Sequence, residues 1–145
     1  MTRVRKLPLL FALCGAAVSA GTAVGGRPGL AVLHLLLFGA LAGLHSPLPF
    51  PAPIGAAEAR RRSAADGRPV VYWRPGCRYC LRLRLRLGQS ARQLHWVDIW
   101  RDPEAAAAVR AANDGNETVP TVVVDGRPHT NPDPAWVRAL VPAAA

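Results

Sequence analysis

Residues 70–80 read Val-Val-Tyr-Trp-Arg-Pro-Gly-Cys-Arg-Tyr-Cys, and this stretch decides the fold of the chain. Its first four residues are apolar and β-prone, which predicts a buried strand. The Pro75-Gly76 turn follows, and we expect a helix from Cys77 to about Gly88. Cys77 and Cys80 therefore lie where a strand passes into a helix. Backbone N–H groups at a helix N-terminus stabilise a thiolate, the reactive form of cysteine.

The pattern within this helix is ambiguous. Residues 81–87 alternate Leu and Arg, and a period of two is typical of a strand. Leu and Arg are, however, strong helix formers, and long Arg side chains can cover apolar surface. We therefore predict a helix.

The later elements follow from capping and turn signals. Asp102 is a residue type that caps helices, Pro103 suits the first helical position, and Asp125-Gly126 is typical of a hairpin turn. The predicted elements are a strand at 94–100, a helix from 102 to about 113, strands at 121–124 and 127–130, and a helix ending at 140. Together with the first strand and helix, the order β-α-β-α-β-β-α predicts an α/β domain with a small mixed sheet.

The first 48 residues predict a transmembrane helical hairpin. Residues 7–24 carry no charge, and residues 30–48 are apolar apart from two histidines. Each segment is close to the ~20 residues that a membrane span needs. Residues 25–29 between them are rich in Gly and Pro and suit a turn. The net charge is +9, and no basic stripe is interleaved with aromatic residues, so membrane topology explains the charge better than nucleic-acid binding.

Basic residues also indicate an orientation. Arg3, Arg5 and Lys6 precede the hairpin and Arg60–Arg62 follow it, whereas the turn contains Arg27 alone. The positive-inside rule places both ends of the hairpin in the cytoplasm of a bacterial cell. The alternative is a secretory signal with a cleavage site at residues 18–20, which would export the two cysteines.

Residues 49–69 are predicted to be a linker. The alternating prolines stiffen its first part, and the Ala/Arg tract can form a short helix. We expect it to hold a domain formed by residues 70–145 away from the bilayer.

The order of elements and the motifs of residues 70–142 resemble glutaredoxins, which have the thioredoxin fold, and more closely mycoredoxins, glutaredoxin-like bacterial enzymes that use mycothiol. The motifs are Cys77–Cys80 with the following Leu-Arg-Leu, Val97-Asp98-Ile99, the stretch 113–120 with its Thr118-Val119-Pro120, and Thr130-Asn131-Pro132. The chain departs from these families in having Arg78-Tyr79 between the cysteines, where Pro or Gly is common, and Arg74-Pro75-Gly76 before them. The hairpin is also absent from the minimal family domain. These departures leave the redox potential and the preferred partner open.

Position on the helix assigns a role to each cysteine. Cys77 at the N-terminus is the predicted nucleophile, and Cys80, almost one turn later and more buried, is predicted to resolve the mixed disulfide. The resemblance also implies a route through one cysteine, in which Cys77 takes mycothiol from a mycothiolated protein and a second mycothiol frees it. The implied activity is that of a thiol–disulfide oxidoreductase, which we expect to have no bound cofactor and, by the resemblance, to use mycothiol or a similar thiol as co-substrate.

The remaining candidate residues bind the substrate. Pro120, expected to be cis, should lie against Cys77, and the Val119 backbone can hydrogen-bond to an extended thiol substrate. Thr118 is a binding residue or a cap.

Two aromatic residues and one arginine complete the predicted substrate-binding set. Trp73 and Tyr79 are candidates to line the thiol groove, although Trp73 can equally belong to the core. Arg78 or Arg82 can meet a substrate carboxylate, and a solvated helix face is the alternative role for these arginines.

Other classes of function remain to be weighed. A zinc site needs four ligands, and Cys77 and Cys80 would have only His95 and His129 as isolated additions, so we predict no metal. A non-catalytic membrane adaptor and an exported disulfide oxidase or isomerase are the alternatives. We expect a monomer whose partners are a low-molecular-weight thiol, protein disulfides and the membrane.

Overall fold

The computed structural model describes residues 3–47 and 49–141. Its contacts divide the chain into two compact units, Met1–Leu48 and Pro49–Ala145. The elements are α1 (Arg3–Val24), α2 (Pro28–Leu44), α3 (Ala56–Asp66), β1 (Val70–Trp73), α4 (Arg78–Leu87), β2 (His95–Asp98), α5 (Pro103–Ala112), β3 (Thr121–Val124), β4 (Arg127–Thr130) and α6 (Pro134–Ala139), with a 3-10 helix at Gly88–Gln93.

The first unit is a pair of helices, α1 and α2, that pack against each other. The two helices come close together at Gly15, where a Cβ atom would lie 2.5 Å from Phe38 Cβ. The second helix ends at Leu44, before the predicted limit of residue 48, which lies outside the described residues. Pro47 accounts for the early end, because the α conformation is disfavoured for a residue that precedes proline.

Of the helices in the described part of the chain, one is long and apolar enough to cross a membrane, at Lys6–Val24. The 17 residues of α2 form a shorter apolar helix. Leucines on both helices are exposed, among them Leu13 and Leu36, the latter to 68%.

The second unit contains a four-stranded sheet in the order β2-β1-β3-β4. The β1 strand pairs parallel to β2 and antiparallel to β3, which pairs antiparallel to β4. Every residue of β1 and β2 is buried, so both faces of the sheet are covered. The predicted β-α-β-α-β-β-α order and thioredoxin-like α/β class are confirmed. The second strand is shorter than predicted, because the chain turns after Asp98, whose side chain accepts the Trp100 N–H.

The ambiguous Leu/Arg segment is helical, as predicted. Cys80, Leu83 and Leu87 form its buried face, and α4 packs through it against α6 and the core. Leu85 points away and is 67% exposed. The alternation therefore does not correspond to two faces of a strand, since the leucines of this segment differ in burial.

Residues 49–69 differ from the expected linker, because most of this segment packs on the domain. Phe50 stacks on Trp73 with ring centroids 3.8 Å apart, and the Ile54 N–H donates to the Trp96 carbonyl at 3.0 Å. The α3 helix packs on β1, β2 and α5, with Ala56 and Ala59 fully buried.

A shared cap joins α3 to α5. Asp102 caps α5 by accepting the N–H groups of Glu104 and Ala105, and its second oxygen accepts the Ala56 N–H at 2.7 Å. The Ala56 hydrogen bond is the main reason that the pKa of Asp102 is lowered. The sequence predicted the cap on α5, whereas the bond to α3 depends on tertiary packing.

Candidate active site

Cys77 lies at the junction between β1 and α4. The strand ends at Trp73, and the connecting turn needs Gly76, whose φ is +76°. Cys77 is the N-cap of α4, with its Sγ atom 3.1 Å from the Cys80 backbone nitrogen, which donates to it. The two cysteines form a disulfide with Cα atoms 5.3 Å apart, within the usual range. The first turn of the helix therefore directs an N–H group at the Cys77 sulfur.

The two sulfur-bearing residues differ in access to solvent. Cys77 is half-buried, whereas Cys80 is fully buried between α4 and the core. An external disulfide can therefore reach Cys77, whereas Cys80 is closed to solvent and bonded to Cys77. This arrangement fits the order of attack expected from the sequence.

The loop before β3 brings a proline against Cys77. The Val119–Pro120 peptide bond is cis, as predicted, and the Val119 carbonyl oxygen lies 3.3 Å from Cys77 Sγ. Among the described residues, no acceptor takes the Val119 N–H. Thr118 is exposed beside it, and Val119 and Pro120 are buried. The predicted residues 77, 80, 118, 119 and 120 are thus brought to one place.

A polar network, whose contacts the sequence did not predict, holds this loop. Thr121 donates from Oγ1 to the Thr118 carbonyl at 2.8 Å, and Asn113 donates from Nδ2 to Thr121 Oγ1 at 3.2 Å. The Asn131 N–H donates to the Pro120 carbonyl at 2.7 Å. Asn131 comes directly after β4 and has a φ of +46°, a left-handed conformation that asparagine tolerates in turns. Its position just after a predicted strand was the sequence signal that it forms such a turn.

Arg78 and Tyr79 form an exposed pair at the start of α4. The Arg78 guanidinium donates to the Tyr79 hydroxyl at 2.9 Å and lies 4.8 Å from the centroid of its ring. Arg74, in the preceding turn, donates to the Glu117 carbonyl at 3.5 Å and lies over the Trp100 ring. Arg74 therefore links the turn before Cys77 to the loop that contains the cis-proline.

Trp73 does not line a groove. Its side chain is 0% exposed and is enclosed by Phe50 and Trp96. A substrate cannot touch it without opening the core, so the alternative interpretation of Trp73 as a core residue is correct. The sequence pattern could not distinguish a groove position from a core position for Trp73, because Phe50, which covers it, belongs to the segment predicted to be a linker.

A buried carboxylate stands beside the strand that leads to the cysteines. Asp98 pairs in register with Trp73 and is 1% exposed. Its Oδ1 atom accepts the Trp100 N–H at 2.9 Å, and its Oδ2 atom has no partner among the described residues. Burial raises the pKa of Asp98 above its ordinary value.

The histidines considered for zinc are engaged elsewhere. His95 Nε2 lies 3.0 Å from Asp66 Oδ2, and the His129 ring packs on Trp136. Within residues 3–47 and 49–141, no group of three or more His, Cys, Asp or Glu side chains could hold a metal ion.

Comparison with known proteins points to one family. A family model named Glutaredoxin matches residues 70–129. A predicted glutaredoxin of Mycobacterium tuberculosis is 41% identical over 71 residues, which cover 48% of this chain and 84% of that protein. Mycoredoxin 1 of Corynebacterium glutamicum is 39% identical over 74 residues, which cover 50% of this chain and 87% of the relative. No solved structure matches the chain with significance.

Proposed function

The chain belongs to the glutaredoxin family, and on that premise we propose that it is a membrane-anchored thiol–disulfide oxidoreductase that reduces protein disulfides or mycothiol mixed disulfides through Cys77. The observation that carries the proposal is the position of Cys77. Its Sγ atom receives an N–H from the first turn of α4 and lies 3.3 Å from the carbonyl before a cis-proline. A thiolate there is stabilised by the helix N-terminus and faces a loop whose Val119 N–H has no acceptor within the described residues.

The dithiol route uses both cysteines. The Cys77 thiolate attacks one sulfur of the substrate disulfide, which forms a mixed disulfide and releases the other sulfur as a thiolate. The Cys80 thiolate then attacks Cys77 Sγ, releases the second substrate thiolate and leaves a Cys77–Cys80 disulfide. Two molecules of a low-molecular-weight thiol supply two electrons to reduce that disulfide and become oxidised to their own disulfide.

The one-cysteine route suits a mycothiolated protein. Cys77 attacks the mycothiol sulfur and releases the protein thiolate, and a second mycothiol attacks the mixed disulfide to give mycothiol disulfide and free Cys77. Mycothiol is the proposed co-substrate, supported by the similarity to Mycoredoxin 1.

Residues around the sulfur are proposed to hold the substrate. The Val119 N–H, which has no acceptor among the described residues, is available to pair with an extended thiol substrate over Pro120. Thr118 is exposed next to it, and the exposed Arg78–Tyr79 pair lies between the two cysteines in sequence. Arg78, the residue after Cys77, is the proposed partner for a substrate carboxylate.

Membrane anchoring is the second part of the proposal. The exposed leucines of α1 and α2 would be in contact with lipid, and the excess of Lys and Arg before and after the hairpin supports a redox unit that faces the cytoplasm.

The chemistry is tested with three single substitutions in the full chain in non-ionic detergent. Cys77→Ser should lower the reduction of hydroxyethyl disulfide by at least about 100-fold, because the nucleophile is lost. Cys80→Ser should keep the reduction of a mycothiol mixed disulfide, which needs one cysteine. The matched control is Cys14→Ser, since Cys14 is the other cysteine of the chain and is exposed on α1. Turnover that survives in Cys77→Ser, or a wild type without turnover, would support the adaptor instead.

A further inference from the structure

One face of α4 carries a stripe of arginines that begins beside the cysteines. Arg78, Arg82 and Arg86 recur at every fourth residue, so they lie on one side of the helix, and all three are exposed. Arg82 and Arg86 line a cleft of about 320 Å³ together with Arg138 of α6. Two helices thus direct three guanidinium groups to one cleft.

The positive charge of this cleft is not neutralised within the described part of the chain. Arg60, Arg62 and Arg110 form ion pairs with glutamates, whereas Arg82, Arg86 and Arg138 form none with any described residue. The one carboxylate that lines the cleft, Asp133, caps α6 by accepting the Ala135 N–H at 2.7 Å. Because three arginines and one carboxylate line the cleft, and the carboxylate already caps a helix, the cleft has an excess of positive charge.

The cleft continues towards the redox centre. A neighbouring cleft of about 200 Å³ is lined by Tyr79, Arg82 and Asn131 among others, so Arg82 belongs to both. Tyr79 is two residues from Cys77, and the Asn131 N–H holds the Pro120 carbonyl. Along the helix axis Arg82 and Arg86 follow Cys77 by roughly 7 and 13 Å, which an extended peptide spans in about two to four residues.

We propose that Arg82, Arg86 and Arg138 form a docking surface for acidic protein substrates, binding carboxylates two to four residues from the cysteine that Cys77 attacks. This inference rests on the proposed function. Guanidinium groups bind carboxylates with paired hydrogen bonds, and an exposed pair of this kind improves selection and association rate more than it adds affinity. A protein substrate is favoured over a lipid headgroup because any protein whose disulfide reaches Cys77 must cover the adjoining cleft.

Two peptides test the proposal with the full chain in non-ionic detergent. Each contains one cysteine in mixed disulfide with 2-mercaptoethanol, and they differ only in Glu or Gln at positions two to four residues from it. With mycothiol as reductant, kcat/KM should be about 3- to 10-fold higher for the Glu peptide at low salt. The difference should largely vanish in 0.5 M NaCl, where the screening length is about 4 Å.

Paired variants separate a local surface from a net-charge effect. Arg82→Gln/Arg86→Gln should lose the preference, while Arg92→Gln/Arg127→Gln should keep it, because it removes two exposed arginines elsewhere and has the same net charge. Equal rates on both peptides for the wild type, or an equal loss of preference in both double variants, would overturn the docking surface.

Reduction of hydroxyethyl disulfide distinguishes the two proposals. If all variants reduce it alike and no peptide preference exists, the docking surface alone is wrong. If the wild type reduces neither this disulfide nor either peptide, both proposals fail. A lipid occupant would give a different result, with no peptide preference and with slower hydrogen exchange in α4 when phosphatidylglycerol is added to the micelles. If that protection were absent in Arg82→Gln/Arg86→Gln, the occupant would be a lipid and the proposal would be overturned.

Discussion

Cys77 and Cys80 differ in their surroundings although only two residues separate them. Cys77 caps a helix and is half-buried next to the Val119 carbonyl, whereas Cys80 is sealed in the core. A step of three residues turns a side chain by about 300°, which leaves it about 60° from the first, and raises it by about 4.5 Å, so both sulfurs lie near one face of α4. The difference in access comes from position: Cys77 is the N-cap at the end of the helix, whereas Cys80 lies within the packed first turn. One helical turn therefore provides both an accessible and a protected sulfur.

The buried carboxylate of Asp98 makes the stability of the folded chain depend on pH. Its pKa is raised by burial, so in the unfolded chain it loses its proton at a lower pH than in the folded chain. The folded state therefore loses stability as pH rises from about 4 through the raised pKa, by about 1.4 kcal/mol for each pH unit that separates the folded and unfolded pKa values. Asp98→Asn keeps an oxygen for the Trp100 N–H and removes the buried charge.

We expect Asp98→Asn to have the higher free energy of unfolding at pH 7 and no advantage at pH 3. Urea unfolding at both pH values measures the difference against the wild type. A variant that is less stable than the wild type at pH 7 would mean that the charged carboxylate has a partner that stabilises it.

At the scale of elements, the burial of the leucines in α4 shows that the alternating Leu/Arg pattern belongs to a helix and not to a strand. Leu83 is buried and Leu85 is exposed, whereas in a strand the leucines at alternate positions would share one face. Leu83→Ala should lower the free energy of unfolding by about 2 to 5 kcal/mol through the cavity that it leaves. The matched change Leu85→Ala should cost less than about 0.5 kcal/mol. Similar losses from both, measured by urea unfolding, would contradict the helix.

The sequence was sufficient for elements whose signals are local. The strands after residue 70, the Asp102 cap and the Asp125-Gly126 turn each follow from a few adjacent residues, and so does the position of Cys77. The packing of α3 could not be predicted, because Ala56 and Ala59 are small and the helix has no apolar stripe to reveal its buried face. For the same reason the core position of Trp73 remained open until its cover, Phe50, was located.

The residues of the candidate site also fall into those that the local sequence predicts and those that it does not. Cys77, Cys80 and Pro120 were predicted because spacing and residue type alone indicate their chemistry. Asn113 and Thr121 were not, since they hold the cis-proline loop through contacts between residues 8 apart, and nothing local distinguishes them from ordinary polar residues. Supporting residues of this kind become visible only with the fold.

At the scale of the whole molecule, the two units carry separate parts of the proposal, anchoring and redox chemistry. Topology is tested with reporters fused after Ala145 in a bacterial cell. Because basic residues flank both ends of the hairpin, we expect a fluorescent protein there to fold and alkaline phosphatase to stay inactive. A fusion after Gly26, in the turn, is the control and should give the opposite result. Active phosphatase after Ala145 would favour the secretory alternative.

The four tryptophans are divided equally between interior and surface. Trp73 and Trp96 are shielded from water, whereas Trp100 and Trp136 are 43% and 38% exposed. Iodide in the buffer should therefore quench the outer pair and leave the inner pair emitting at shorter wavelengths. Because Phe50 covers one of the inner indoles, detachment of the segment around it would shift that emission to the red. The chain thus contains an intrinsic fluorescence probe of its own packing, which needs no added dye.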